Sequence, residues 1–318
     1  MQRYFRYVFL TSIILLCFLT AIYINQSSAN TFTQQDKEKP QIQENSSNDL
    51  PIIRTRTDLV TMTVTVTDEL GRYVAGLEKE HFQVYDDNVL QNIEFFSTGE
   101  GPISVGIILD VSASMNGQGL ISAVDTLHKF LNIFHEDDEY FLITFNNEPQ
   151  LMVDFRPIKG QSTDTIILKA DKNTAVYDAV YLGLEKLRQA RHKRRALLIL
   201  SDGQDNNSRY TYNDVKKLAR ESDVQIYAIG GGNYGSMVLG ELAHLTGGSF
   251  YTTISMDAAI DWIQLELRHQ YNIGFIPTAN TGERRWHRLK VKVKPPKGLL
   301  KLSVRTKEGY FSNGLDTP

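Results

Sequence analysis

Three short stretches of the chain concentrate hard oxygen donors. Asp110-Val111-Ser112-Ala113-Ser114 carries one carboxylate and two hydroxyls on five consecutive residues. Thr174 opens Thr174-Ala175-Val176-Tyr177-Asp178-Ala179, and Asp202 follows an apolar run in Ser201-Asp202-Gly203. Such donors suit Mg²⁺, Mn²⁺ or Ca²⁺ and make a poor zinc site. Asp110 and Asp202 have to converge from separate strand ends to share a pocket. Two carboxylates there repel unless a cation lies between them. A helix N-cap, which Asp and Ser both favour, uses only one of these residues and leaves the rest unexplained.

The elements that must position these loops are legible from periodicity. Between residues 102 and 270, near-continuous apolar strands (Ile103–Leu109, Tyr140–Phe145, Ala196–Leu200, Val224–Ile229, Ser249–Thr252) alternate with helical patterns (Leu120–Phe134, Thr174–Ala190, Tyr212–Ser222, Met237–Leu245, Asp257–His269). That alternation predicts a parallel sheet covered by helices on both faces. Ligands of such sheets sit outside the carboxyl ends of the strands, where Asp110 and Asp202 fall. On either side the pattern changes to period two. Val60, Met62, Val64 and Val66 alternate with threonines, shorter strands follow near 82–86 and 89–97, and Leu289, Val291 and Val293 alternate with lysines. About 40 residues of strand make too little sheet to be stable alone. The two β segments are therefore expected to pack together, with the α/β domain inserted between them.

The Asp-x-Ser-x-Ser loop, the Thr ahead of Ala-x-Tyr-Asp-Ala and the later Ser-Asp-Gly resemble the metal-ion-dependent adhesion site of von Willebrand factor type A domains. Leu77 to Phe96, Tyr271 to Phe275 and Gly309-Tyr310-Phe311 resemble the flanks of a bacterial group of exported type A-related proteins. The resemblance implies a doubly wound, mostly parallel α/β sheet inserted in a small β-sandwich. It implies a divalent cation, Mg²⁺ ahead of Mn²⁺ or Ca²⁺, held by Asp110, Ser112, Ser114, Thr174 and Asp202. Asn116, Asn173, Gln204 and Asp205 would form the rim that meets a partner. The sixth coordination position would go to a carboxylate of a protein ligand. Lys172-Asn173 departs from the glycines many relatives carry before the Thr.

Other motifs are weaker. Gly230-Gly231-Gly232-Asn233-Tyr234-Gly235 fits Gly-x-Gly-x-x-Gly, but it comes after four βα units, whereas the dinucleotide fingerprint opens the first. Gly-x-Ser-x-Gly is absent, and the seven histidines show no zinc spacing. Arg191-His192-Lys193-Arg194-Arg195 reads as cations complementing a helix C-terminus. From Arg284 to Lys307 there are ten Lys or Arg and no Asp or Glu, a solvated strand face or a lobe lying near an anionic surface.

Net charge is −3; the first 29 residues contribute two arginines and no acid, leaving −5 on the rest. That balance argues against nucleic-acid binding. Cys17 is the single cysteine, so neither a disulfide framework nor a cysteine metal site is available. Arg3 and Arg6 precede an apolar run from Val8 to Ile24, which reads either as a cleaved signal peptide or as an N-terminal membrane anchor. The expected organisation is an export segment over 1–29, a flexible linker over 30–51, an N-terminal β segment over 52–99, the α/β domain over 100–270 and a C-terminal β segment over 271–313. The expected function is an extracytoplasmic, membrane-anchored or secreted interaction module without enzymatic activity. The alternatives are an assembly role without ligand exchange and, less favoured, a metal-assisted hydrolase.

Overall fold

The computed structural model describes residues 59–99, 101–112, 118–132, 134–158, 173–201, 204–230, 234–252, 256–278, 283–296, 298 and 301–312. The expected export segment, the linker, Ser114, Asn116 and Asp202 lie outside the described residues. Among the described residues, no helix is long and apolar enough to cross a membrane.

Among the described residues, the central sheet is built from six strands. These are β5 (Ile103–Asp110), β6 (Glu139–Phe145), β7 (Pro149–Pro157), β8 (Arg194–Leu200), β9 (Gln225–Gly230) and β10 (Phe250–Thr252). Their order is β10-β9-β8-β5-β6-β7, parallel except for the β6–β7 hairpin. All eight residues of β5 are buried, as expected of a strand covered on both faces. Among the described residues, the cover is supplied by the helices α1 (Gln118–Leu131), α2 (Val176–Leu187), α3 (Tyr212–Glu221), α4 (Tyr234–Leu245) and α5 (Met256–Arg268). One face of β5 (Val105, Ile107, Leu109) packs with Leu127 and Phe130 of α1 and Ile260 and Ile263 of α5. The other face (Ile108) packs with Val180 and Leu184 of α2, Val215 of α3 and Leu239 of α4. Gly106 and Gly183 allow α2 and β6 to approach this closely. A Cβ on Gly106 would stand 2.4 Å from Phe141 Cζ, and one on Gly183 2.9 Å from Ile108 Cδ1.

Strand β7 escapes the sequence pattern. Its nine residues begin and end with proline, none is buried, and among the described residues it pairs with β6 alone. An exposed edge strand needs no alternation, and Pro at its ends argues against a central position.

The flanking segments form two further sheets. One has the order β13-β1-β11-β4, with β1 (Val60–Thr67), β4 (Ile93–Thr98), β11 (Gln270–Phe275) and β13 (Ser303–Arg305). The other runs β14-β12-β2-β3, with β2 (Phe82–Asp86), β3 (Val89–Gln91), β12 (Trp286–Val293) and β14 (Gly309–Phe311). Both sheets mix strands from before and after the α/β domain. Val64, Val66, Phe82, Val84, Ile273, Phe275 and Val291 close one core between them, with Phe82 and Tyr271 ring centroids 5.0 Å apart. Period-two strands hide one face each and need this second layer. The α/β sheet is thus inserted in a small β-sandwich.

A buried carboxylate joins the two parts. Glu266 of α5, 0% exposed, accepts from Ser249 Oγ (2.8 Å), Tyr227 Oη (3.1 Å) and Tyr73 Oη (3.2 Å). Arg305 of β13 lies 2.5 Å from it, Nη2 to Oε1. Burial, then the Glu266 charge, pushes the Tyr227 hydroxyl well above its ordinary range, so it stays a donor.

Candidate metal centre

The chain leaves β5 for β6 and β7 on one side, then crosses back to β8, β9 and β10 on the other. The strand order therefore reverses between β5 and β8. In open α/β sheets the crevice at that reversal, outside the carboxyl ends, is where ligands bind. Asp110 is the last residue of β5, and the register pairs Leu109 with Leu200, the last residue of β8. Asp110 consequently faces Ser201, whose Oγ donates to Asp110 Oδ2 at 2.6 Å, while the Ser112 N–H donates to Asp110 Oδ1 at 2.9 Å. Asp110 is 0% exposed and Ser112 1%.

Thr174 reaches the same edge through backbone links. The Val111 N–H donates to the Phe145 carbonyl (2.9 Å), and the Ala175 N–H to the adjacent Asn146 carbonyl (2.7 Å). The loop after β8 closes over Thr174. Asn206 Oδ1 accepts the Thr174 N–H at 2.8 Å, and the Asn206 and Asn207 N–H groups donate to the Thr174 carbonyl at 3.0 and 3.2 Å. The structure thus brings Asp110, Ser112 and Thr174 to adjoining loops at the strand-order reversal.

Among the expected rim residues, Asn173 and Gln204 are exposed. Asp205 is half-buried, and its Oδ1 accepts from Ser208 Oγ (2.5 Å) and the Tyr177 N–H (3.4 Å), so it braces the first turn of α2. Two residues with positioning roles were not singled out in the sequence. Asn206 orients Thr174. Asp178, 3% exposed, accepts the Arg209 and Tyr210 N–H groups, both at 2.9 Å, and Arg209 Nε at 2.9 Å. That hydrogen bond, then the Asp178 charge, holds the Arg209 guanidinium above its usual range. Asp178 also sits in the first turn of α2, where the helix dipole favours a carboxylate. Its place in Tyr177-Asp178-Ala179 was visible, but its partners lie about 30 residues away and leave no local signal.

The donor set fits a hard divalent cation. Asp110, Ser112 and Thr174 offer oxygens only, are all buried, and lie on adjoining loops at the carboxyl edge of the sheet. A bound cation would supply positive charge and an exchangeable coordination position there.

A second group of ligand-type side chains lies in the β-sandwich. Asp86, Asp87 and His287 offer atoms within 4.8 Å of one another. His287 Nδ1 is 3.0 Å from Asp86 Oδ1, Tyr310 Oη donates to Asp86 Oδ2 (2.9 Å), and Arg285 Nη1 donates to Asp87 Oδ2 (2.8 Å). Protein donors already engage these carboxylates and fasten β2 to β12 and β14. The basic stretch from Arg284 to Lys307 is likewise partly neutralised, through Arg284–Glu221, Arg285–Asp87, Arg305–Glu266 and Lys307–Asp223.

Residues 104–264, just over half of the chain, match the family model of the von Willebrand factor type A domain. An uncharacterized Synechocystis protein is 24% identical over 110 residues, 33% of this chain and 26% of that protein. The match therefore spans about a quarter of that relative. Among solved structures, a von Willebrand factor type A protein from Catenulispora acidiphila is 12% identical, with 79% of this chain and 74% of that one covered and a TM-score of 0.47. An aerotolerance-related membrane protein from Bacteroides fragilis is 18% identical, covering 52% of this chain and 98% of that one, at a TM-score of 0.41. Proximal thread matrix protein 1 of the mussel byssus, with zinc in its adhesion-site motif, is 20% identical over 56% of this chain and 48% of that one, at a TM-score of 0.45. With its family match spanning β5 to α5, the chain belongs to the von Willebrand factor type A family.

Proposed function

We propose that the chain is an extracytoplasmic, non-catalytic binding module that recognises an acidic group of a protein partner through a divalent cation. Mg²⁺ is the first choice of ion, held by Asp110, Ser112, Ser114, Thr174 and Asp202. The observation that carries this reading is the buried Asp110 carboxylate at the end of β5, hydrogen-bonded to Ser201 just after β8 at the strand-order reversal. Hard oxygens in that crevice suit a cation, and a cation suits a partner carboxylate. Export rests on Arg3, Arg6 and the apolar run that follows them. Fractionation of cells expressing the full chain, with protease added outside, tests it; protection from the protease in intact cells contradicts it.

The functional test is capture of envelope or extracellular proteins on the immobilised full chain. Capture that needs Mg²⁺, is reversed by chelator and is lost in Asp110→Ala supports the reading. Capture indifferent to both would favour an assembly role without ligand exchange. The backbone of Thr174, held at its N–H and its carbonyl by Asn206, with the next N–H, of Ala175, bound to the Asn146 carbonyl, is the feature that speaks for that second reading.

A further inference from the structure

The charge run from Arg191 to Arg195 does not complement a helix end. Helix α2 stops at Leu187, and Lys186 is the basic residue of its last turn. The macrodipole fades within that turn. The run instead occupies the connection beyond it and opens β8. It lines a cleft of about 370 Å³ at the amino-terminal ends of β5, β8 and β9, opposite the candidate metal centre, and the far wall is the sheet of β1, β11 and β4.

The cleft has one sign of charge. Arg191, Lys193, Arg194, Arg195, Arg220 and Lys307 line it against a single acid, Asp223, which Lys307 Nζ contacts at 2.5 Å. The arginines are oriented by neutral groups. Arg191 Nη2 donates to the Asp137 carbonyl (2.8 Å), Arg194 Nη2 to the Leu267 carbonyl (2.7 Å) and Arg195 Nε to the His192 carbonyl (3.2 Å). The Arg220 guanidinium stands 5.2 Å from the centre of the Trp286 ring, with the Glu241 carboxylate within electrostatic reach. Carbonyls and aromatic faces fix a guanidinium without neutralising it. The far wall is neutral and mixed, with the hydroxyls of Thr61, Thr63, Ser97 and Thr98 and the Asn272 amide beside the exposed Phe95 ring.

We infer that this cleft is a binding site for a phosphorylated sugar or polyol, its phosphoryl group among Arg191, Arg195 and Arg220 and its hydroxyls toward Thr61, Thr63 and Asn272. A phosphomonoester carries nearly two negative charges and three acceptor oxygens, matching several forked donors better than a single carboxylate does. The cleft volume lies in the range of small-ligand sites.

The test is calorimetric titration of the full chain with glucose 6-phosphate, inorganic phosphate and glucose. The expected result is saturable glucose 6-phosphate binding with a Kd of about 1 mM or tighter, clearly weaker inorganic phosphate and no glucose. Arg195→Ala and Arg220→Ala each weaken binding about tenfold, and raised salt weakens it further. Chelator and Asp110→Ala leave it unchanged, which separates this site from the metal centre. Lys193→Glu, at an exposed position, weakens binding without touching the packing. Absence of saturable binding by both phosphate-bearing probes, or binding that survives all three cleft substitutions, overturns the assignment. Equal affinity for inorganic phosphate overturns its sugar half.

Discussion

Thr174 and Asn206 hold each other by reciprocal hydrogen bonds, Thr174 N–H to Asn206 Oδ1 at 2.8 Å and Asn206 N–H to the Thr174 carbonyl at 3.0 Å. One residue precedes α2 and the other lies in the loop after β8, so the pair fixes the relative position of two loops of the candidate metal centre. Residues that orient metal ligands typically matter about 10- to 100-fold in affinity. Asn206→Ala is expected to weaken Mn²⁺ or Mg²⁺ binding by roughly tenfold while lowering stability by only about 1 kcal/mol. Titration calorimetry beside urea unfolding separates the two effects. Unchanged metal affinity would remove Asn206 from the site.

Asp178 secures the outer part of the same loop through three hydrogen bonds from Arg209 and Tyr210. Asp178→Ala strips the acceptor from two backbone N–H groups and one guanidinium. The expected loss is roughly 3 kcal/mol in urea unfolding, with Asp178→Asn intermediate because one oxygen remains. A loss below about 0.5 kcal/mol would show that the loop holds without it.

Glu266 and Arg305 tie the type A domain to the β-sandwich. Removing one partner of a buried pair leaves the other charge uncompensated, at about 3–5 kcal/mol. Glu266→Ala should therefore be strongly destabilising. Adding Arg305→Met to it should recover part of the loss, and a double-mutant cycle measures the coupling. Additive effects of the two substitutions would contradict the pairing.

Acid sensitivity should include the β2–β3 turn. The Arg288 N–H, then the Arg285 guanidinium, holds the Asp87 carboxyl below the usual carboxylate range. A group depressed in the folded state stabilises above its unfolded pKa, about 3.9 for Asp, and loses that contribution as pH falls through the lower folded value. Asp87 has φ 45°, a conformation Asn also tolerates, so Asp87→Asn keeps the turn. The variant should be less stable than the parent at pH 7, and the gap should narrow between pH 4 and pH 2 in urea titrations. A gap that stays constant with pH would contradict this.

The fold was readable because its signals are local. Apolar runs such as Ile103–Leu109 and the Val60–Val66 alternation report burial on two faces or one, and strands lie at both places. Strand β7 was not readable, because an exposed edge strand between prolines has no pattern to show. The Asp110–Ser112 loop and Thr174 were legible as oxygen donors. Asn206, Asp178 and Glu266 were not, because their roles depend on partners brought together only by the folded chain. The 191–195 run was legible as charge but misplaced, since α2 ends earlier than its helical pattern suggests.

The most direct test of the central claim is titration of the full chain with Mg²⁺, Mn²⁺ and Ca²⁺ beside Asp110→Ala and Ser112→Ala. Saturable binding in the parent, lost in Asp110→Ala and weakened in Ser112→Ala while both variants stay folded by circular dichroism, is the predicted result. Binding of equal strength in all three proteins would place the ion elsewhere and contradict the assignment.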